Sequence, residues 1–279
     1  MVNNNVHNGQ NQGQGQNSPL NHKIYWTQSA DGLTWSQGAL LAEKASVPDV
    51  IRTSKGEFRA YWVDFSSYTV QYTEKIGVAR SADGSTWELL GTVDFSGLGN
   101  RVPVDPDVVE LPDGSLRIYF LDFSTAGGQA GMHEICSAVS TDGIHFTVEA
   151  GIRLSSASIF DPDIIRLSGG TYRMYLNAGD VVSASGSDGL IFTMDQGKRV
   201  ERGGIPGAIV LPDGRVWLYC SGNGIALYES SDNGTSFVLK KDSVIPTPLQ
   251  GGIVADPSVA AMPSGGYLMV YKYQPPSTK

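Results

Sequence analysis

A short unit recurs five times along this chain of 279 residues: SADGLTW from Ser29, SADGSTW from Ser81, STDGIHF from Ser140, GSDGLIF from Gly186 and SDNGTSF from Ser231. Each copy has an acid, a glycine and then an aromatic residue, and alternating runs such as KIGVAR precede it. The pattern reads as strand, tight Asp–Gly turn, strand. A second unit alternates with the first: VPDVIRTSKGEFRAYWVDF, DPDVVELPDGSLRIYFLDF, DPDIIRLSGGTYRMYLNA, IPGAIVLPDGRVWLYCSG and DPSVAAMPSGGYLMVYKY. These also read as strand, glycine turn, strand, with prolines at Pro48, Pro106, Pro162, Pro206 and Pro257. Four short strands in every ~50 residues, without helical periodicity, mark a β-propeller blade.

The phase of the two units predicts how the ring closes. KIYWTQSADGLTWSQ precedes the first proline unit, and no hairpin follows the last one. Together the two ends make one blade. The expected fold is therefore all-β: a five-bladed propeller with four antiparallel strands per blade, the last blade closed by the N-terminal hairpin. Closure removes the open edge that a linear array of sheets would leave.

Residues 22–274 are expected to form this single domain. Residues 1–21 are rich in Asn, Gln and Gly, bury too little apolar surface to order themselves, and lack the apolar core of a signal peptide. They read as a disordered tail, left after removal of an export signal from a secreted or periplasmic protein. Residues 275–279 read as a flexible C-terminus. The net charge of −8 argues against nucleic acid or an anionic membrane as partner, and no apolar run is long enough to span a bilayer. A monomer acting on a small molecule is the expectation. Cys136 and Cys220 are the only cysteines and read as two small buried apolar residues.

Antiparallel strands around a channel put the proline starts of the first strands on one face, with the loops between second and third strands. The Asp–Gly hairpins fall on the other face. The proline face gathers Asp49, Asp105, Asp107, Asp161, Asp163 and Asp256; its loops add Asp64, Tyr72, Glu74, Asp122, His133, Glu134 and Asp180. Two of these loops, FSSYTVQYTEK and FSTAGGQAGMHE, are long where NAGD and SGNG are short, as a built-up pocket wall requires. In each DPD the two acids are expected to share a direction, toward the channel mouth. Blade 4, IPGAIV, keeps neither acid, so the ring is asymmetric in the way a single site would be. A structural role competes with this reading: an Asp beside a first strand can bind backbone N–H groups of its neighbour and hold the ring together.

The SxDGxxW units resemble the Asp-box of sialidases and other propellers. The resemblance implies that Asp31, Asp83, Asp142, Asp188 and Asp232 tie turns rather than catalyse. A sialidase proper would also need an arginine triad, and only Arg52 and Arg166 occupy matching places. The D-P strand starts, VADPSVAAMPSGGYLMVYKY above all, resemble the five-bladed glycosidases of glycoside hydrolase family 43 and its arabinanase, invertase and levansucrase relatives. That resemblance implies hydrolysis of a glycosidic bond in a small carbohydrate, with no cofactor required. Asp105, Asp161 and Asp256 would be base, nucleophile or orienting acids. The family's proton donor usually opens a strand as E-G-P, and here Gly204-Ile205-Pro206-Gly207 carries no acid, so His133 or Glu134 is the expected donor. Asp49, Asp107 and Asp163 would shape the pocket or hold a cation such as Ca²⁺ at the channel mouth, and Asp64, Asp122, Tyr72 and Arg101 would contact substrate. Two alternatives stand beside this: a metal-dependent ester or phosphoester hydrolase, and a non-catalytic carbohydrate-binding propeller.

Overall fold

A computed structural model describes residues 18–67, 74–126, 132–201, 203–248 and 252–276. Tyr72 lies outside them. Among the described residues the chain forms five antiparallel sheets arranged as blades. Blade 1 runs through Ala45–Arg52, Phe58–Asp64, Lys75–Ser81 and Glu88–Thr92. Blade 2 is Pro103–Glu110, Leu116–Asp122, Met132–Ser140 and His145–Val148; blade 3 is Phe160–Arg166, Tyr172–Asn177, Val181–Gly186 and Thr193–Met194. Blade 4 is Pro206–Val210, Val216–Gly222, Gly224–Ser230 and Val238–Ile245. Blade 5 joins Ile253–Ala261 and Tyr267–Gln274 to the N-terminal Lys23–Ser29 and Ala39–Glu43, with Lys23 opposite Tyr273 and Ser29 opposite Tyr267.

Blade 2 departs from four strands. Asp94–Ser96 pairs in parallel with its outermost strand, and Leu154–Ala157 pairs with Met132–Ser140. The first of these covers an edge that would otherwise be unpaired.

The Asp–Gly turns are built by their own acids. Asp83 Oδ1 accepts from the N–H groups of Ser85 and Thr86 at 2.8 and 2.7 Å, and Ser81 Oγ accepts from Gly84 N at 2.9 Å. Asp31, Asp142, Asp188 and Asp232 hold their turns in the same way.

Each of these turns also receives the preceding blade. Tyr61 Oη donates to the Gly143 carbonyl (3.1 Å), Tyr119 to Gly189 (2.8 Å), Tyr175 to Gly234 (3.0 Å) and Tyr219 to Gly32 (3.0 Å). All four tyrosines are fully buried at the same place in the second strand. Blade 5 has Val270 there, and Gln28 Nε2 reaches the Gly84 carbonyl instead, at 3.3 Å. The apolar core lies between the blades, and in blade 2 every residue of Leu116–Asp122 is buried.

Candidate active site

The five prolines surround a constriction of about 20 Å³ on the propeller axis. Just before it the first strands do not run straight. The pairing register shifts between Ser46 and Asp49, Val104 and Asp107, Phe160 and Asp163, and Ala255 and Ser258. At each bulge the residue before proline is left-handed: Val47 φ 48, Asp105 φ 51, Asp161 φ 49 and Asp256 φ 53. That conformation costs an L-residue about 1–2 kcal/mol, and Asp tolerates it better than Val does. A bulge re-aims the side chain next to it. The two acids of each DPD consequently part company, against the expectation that they point together.

The acids after the prolines join blades. Asp49 Oδ2 accepts from Val108 N at 2.9 Å and its Oδ1 from Ser258 Oγ at 2.7 Å. Asp107 accepts from Ile164 N, and Asp163 from Ala208 N at 3.0 Å. Ser258 Oγ closes the ring by accepting from Val50 N at 2.9 Å. Every contact runs from one blade to the next. Blade 4 contributes Gly207, where a Cβ would lie 1.9 Å from the Pro257 carbonyl oxygen, so at this level the two first strands meet by backbone approach where the other blades use a side chain. Burial pushes Asp49 up to about 6 and Asp163 to about 8, and raises Asp107 well above the carboxylate range. These three residues, expected at the substrate, form the sub-floor of the channel instead. Arg52 and Arg166 line a separate cavity of about 360 Å³ with them.

The acids before the prolines converge above. Asp105 Oδ2 accepts from Asp161 N at 3.4 Å, and Asp161 Oδ2 accepts from Asn177 Nδ2 at 2.9 Å. Asp256 pairs with Lys272 at 2.7 Å and also accepts from Val47 N. Burial, and then the Asp161 charge, hold Asp105 well above the usual range; burial, and then Asp256, bring Asp161 to about 6. Burial works against the Lys272 charge, yet Asp256, Asp161 and Asp105 together keep its pKa above that of an ordinary lysine. His22 sits over the same corner, its Nδ1 3.2 Å from Ser46 Oγ. Burial and Lys272 lower its pKa to about 4, so the ring is neutral near pH 7.

Over Asp105 and Asp161 opens a cavity of about 300 Å³, walled by Val63, Phe65, Leu121, Phe123 and Phe160, with Glu74 and Pro19 at its rim. One position in the second strands, two residues after the inter-blade tyrosine, differs between the blades. It holds Val63 and Leu121 in blades 1 and 2, but Asn177, Ser221 and Lys272 in blades 3 to 5. Asn177 and Lys272 hold the acids, and Ser221 Oγ accepts from Asp256 N at 2.8 Å. Val63 and Leu121 thus line the cavity, while Asn177, Ser221 and Lys272 hold the acids from outside its lining.

The other expected residues stand apart. Asp256 is 1% exposed, under Lys272, and does not line the cavity. His133 is buried, with Nδ1 2.9 Å from the Ile159 carbonyl and its ring edge-on to Phe160. Glu134 lies opposite Ser155 in the sheet and lines no part of the cavity. Asp64 caps its own turn through Ser66, and Asp122 binds Val102 N and Ser124. Arg101 lines a second cavity, of about 450 Å³, between blades 1 and 2. Among the described residues no group of three or more His, Cys, Asp and Glu is arranged to hold a metal ion.

No protein-family profile matches the sequence, and neither does any characterised protein compared with it. Solved structures do resemble the fold. An α-L-arabinofuranosidase of Clostridium thermocellum superposes with a TM-score of 0.61 at 16% identity, over 80% of this chain and 80% of that one. A family GH43_1 enzyme of Xanthomonas citri, complexed with xylotriose, gives 0.59 at 14%, over 82% and 86%. A fructofuranosidase of Schwanniomyces occidentalis, complexed with fructose, gives 0.63 at 12%; the matched region is 81% of this chain but 51% of that enzyme. The chain therefore has the five-bladed propeller fold of these glycosidases.

Proposed function

We propose that this chain hydrolyses a glycosidic bond in a small carbohydrate, with Asp105 and Asp161 as the central carboxyl pair. The observation that carries the reading is this adjacent pair at the floor of a cavity with apolar walls. Glycoside hydrolysis requires one carboxyl group ionised and another protonated at the same pH. Asp161, brought to about 6 and hydrogen-bonded by Asn177, suits the ionised role of base or nucleophile. Asp105, held higher, suits a protonated partner that donates to a sugar hydroxyl.

The surroundings fit a sugar ring. Its apolar face can rest on Phe65, Phe123 and Phe160, while its hydroxyls meet the acids below. The left-handed bulge points the same way. Val47 adopts it without a carboxylate, so the bulge itself has no need of an acid, and Asp105 and Asp161, which line the cavity, are available for chemistry. The likeness in fold to arabinofuranosidase, xylotriose-bound and fructose-bound enzymes supports this substrate class.

The test is hydrolysis of aryl α-L-arabinofuranosides, β-D-xylosides and β-D-fructofuranosides by the wild type, Asp105→Asn and Asp161→Asn, each with and without EDTA. Turnover that ignores EDTA and falls at least ~100-fold in both variants is expected. Binding of a sugar without turnover would leave a carbohydrate-binding propeller, and turnover of esters or phosphoesters abolished by EDTA would replace the carboxylate mechanism with a metal site.

A further inference from the structure

We propose that Glu74 is the proton donor of this site, and that the cavity between blades 1 and 2 receives the leaving group. The inference rests on the glycosidase reading and names the group that reading lacks.

Two cavities meet at Glu74. The first lies over Asp105 and Asp161; the second, about 450 Å³, is lined by Lys75, Thr92, Asp94, Phe95, Leu98 and Arg101 among others. Each is within the ~300–1,000 Å³ usual for small-molecule sites. Among the described residues Glu74 is the one that lines both. A donor in glycoside hydrolysis has to stand at such a boundary, because the oxygen it protonates joins the sugar that is attacked to the group that departs. Glu74 Oε2 is buried and has no hydrogen-bond partner among the described residues. A buried carboxyl oxygen without a partner is costly unless it carries a proton or meets a ligand. Burial raises the Glu74 pKa, which is the direction a donor needs.

Neither residue expected from the sequence has these properties. His133 is taken up by the Ile159 carbonyl and Phe160, and Glu134 lines neither cavity. In the proposed step the bond from the anomeric carbon to the leaving oxygen breaks, its electron pair stays on that oxygen, and the Glu74 proton neutralises it. The anomeric carbon bonds either to the Asp161 carboxylate or to a water oxygen whose proton Asp161 takes. In the first case water then displaces Asp161 from the anomeric carbon and gives its proton to Glu74; in the second, Asp161 releases its proton to solvent and Glu74 regains one from it. The second cavity, with cationic, anionic and hydroxyl groups on its walls, suits a hydroxylated leaving group such as a second sugar.

The experiment compares the wild type, Glu74→Gln and Asp161→Asn on glycosides that differ only in leaving group. Methyl glycosides and disaccharides need a proton on the departing oxygen; 2,4-dinitrophenyl glycosides do not. Glu74→Gln is expected to lose ~100-fold or more on the first kind and less than ~10-fold on the second, within the range of general acid catalysis. The alkaline limb of its pH profile should vanish, and its Tm should match the wild type. Thr92→Trp, which fills the second cavity, should raise KM for disaccharides and leave methyl glycosides unaffected. An equal loss on both kinds, or no loss on either, overturns the donor while the wild-type turnover keeps the glycosidase reading. A wild type inactive across arabinofuranosides, xylosides and fructofuranosides overturns both.

Discussion

Tyr119 Oη donates to the carbonyl of Gly189 at 2.8 Å, across the seam between blades 2 and 3. The pair explains why the Asp–Gly turns are so alike. A turn that must present its glycine carbonyl to a neighbouring blade has little freedom to vary. Added Cβ atoms show the fit: at Gly189 one would lie 2.6 Å from the tyrosine hydroxyl. Burial keeps the phenol protonated, so it remains a donor. Tyr119→Phe removes the donor and strands a buried carbonyl, at a cost of about 1–3 kcal/mol. Urea unfolding should report that loss with an unchanged m-value. A change under ~0.3 kcal/mol would mean the seam is held by apolar packing alone.

The seam between blades 4 and 5 has no carboxylate latch. Gly207 replaces the acid, and the Pro257 carbonyl occupies the space a side chain would take. Gly207→Ala forces backbone against backbone, which neither rotamer change nor a flexible neighbour can relieve. The expected cost is at the upper end of the ~1–3 kcal/mol typical of overpacking, or beyond it. The midpoint of thermal unfolding measures it, and an Ala variant as stable as wild type would disprove the close approach.

Stability should peak at roughly pH 4. Asp49 and Asp163 have folded pKa values of about 6 and 8, above the ~3.9 of an unfolded Asp. The folded state holds more protons than the unfolded one in that interval, so their contribution is complete below ~3.9 and declines as pH rises through 6 and 8. Asp83 and Asp142 behave oppositely. Hydrogen bonds from Thr86 and Ser85, and from His145, lower their pKa values, so their contribution is lost as pH falls below ~3.9. Tm measured from pH 3 to 9 should trace this dome. Asp163→Asn keeps an acceptor for Ala208 N and should flatten the fall between pH 6 and 8.

Much of this architecture could be read in the chain, because propeller blades are local. Each hairpin announces itself by a glycine turn between alternating runs, and the phase of the two units fixed the closure by Lys23–Ser29 against Tyr267–Gln274. The DPD acids were legible as a group but not in their division. A bulge shifts register without altering composition, so nothing separated Asp105 from Asp107 before the backbone was seen. Lys272 and Asn177 did leave a signal: each is polar at a second-strand position that is apolar in blades 1 and 2. Aligning the five repeats at Tyr61, Tyr119, Tyr175, Tyr219 and Val270 would have found them. The sharing of Glu74 between two cavities is set by the packing of blades 1 and 2, and no repeat in the sequence encodes it.

The acids before the prolines should trade stability for chemistry. Asp105 is buried beside Asp161, where it can ionise only at a cost, and an Asn in its place cannot ionise at all. Asp105→Asn is therefore expected to keep or raise Tm while it loses at least ~100-fold in kcat/KM. A parallel loss of both would reduce Asp105 to a structural residue. Circular dichroism melts alongside initial rates on the same preparations separate the two outcomes.

Lys272 is the cation that lets these carboxylates share one corner. It pairs with Asp256 at 2.7 Å, and its charge lowers the pKa of both Asp105 and Asp161. Lys272→Met leaves Asp256 buried without its counter-charge, a break that costs about 3–5 kcal/mol. It also lifts the pKa of Asp161, so the acid limb of the pH–rate profile should move to higher pH. The double variant Lys272→Met with Asp256→Asn removes both charges together and should recover most of the stability, since the penalty comes from the unpaired charge rather than from the missing pair. It should also return the acid limb toward its wild-type position, because the Asp256 charge that raises the pKa of Asp161 is gone together with the cation that lowers it. Recovery of both together is what a role through charge predicts; an acid limb that stayed displaced while stability returned would mean that Lys272 acts on Asp161 through its packing and not through its charge.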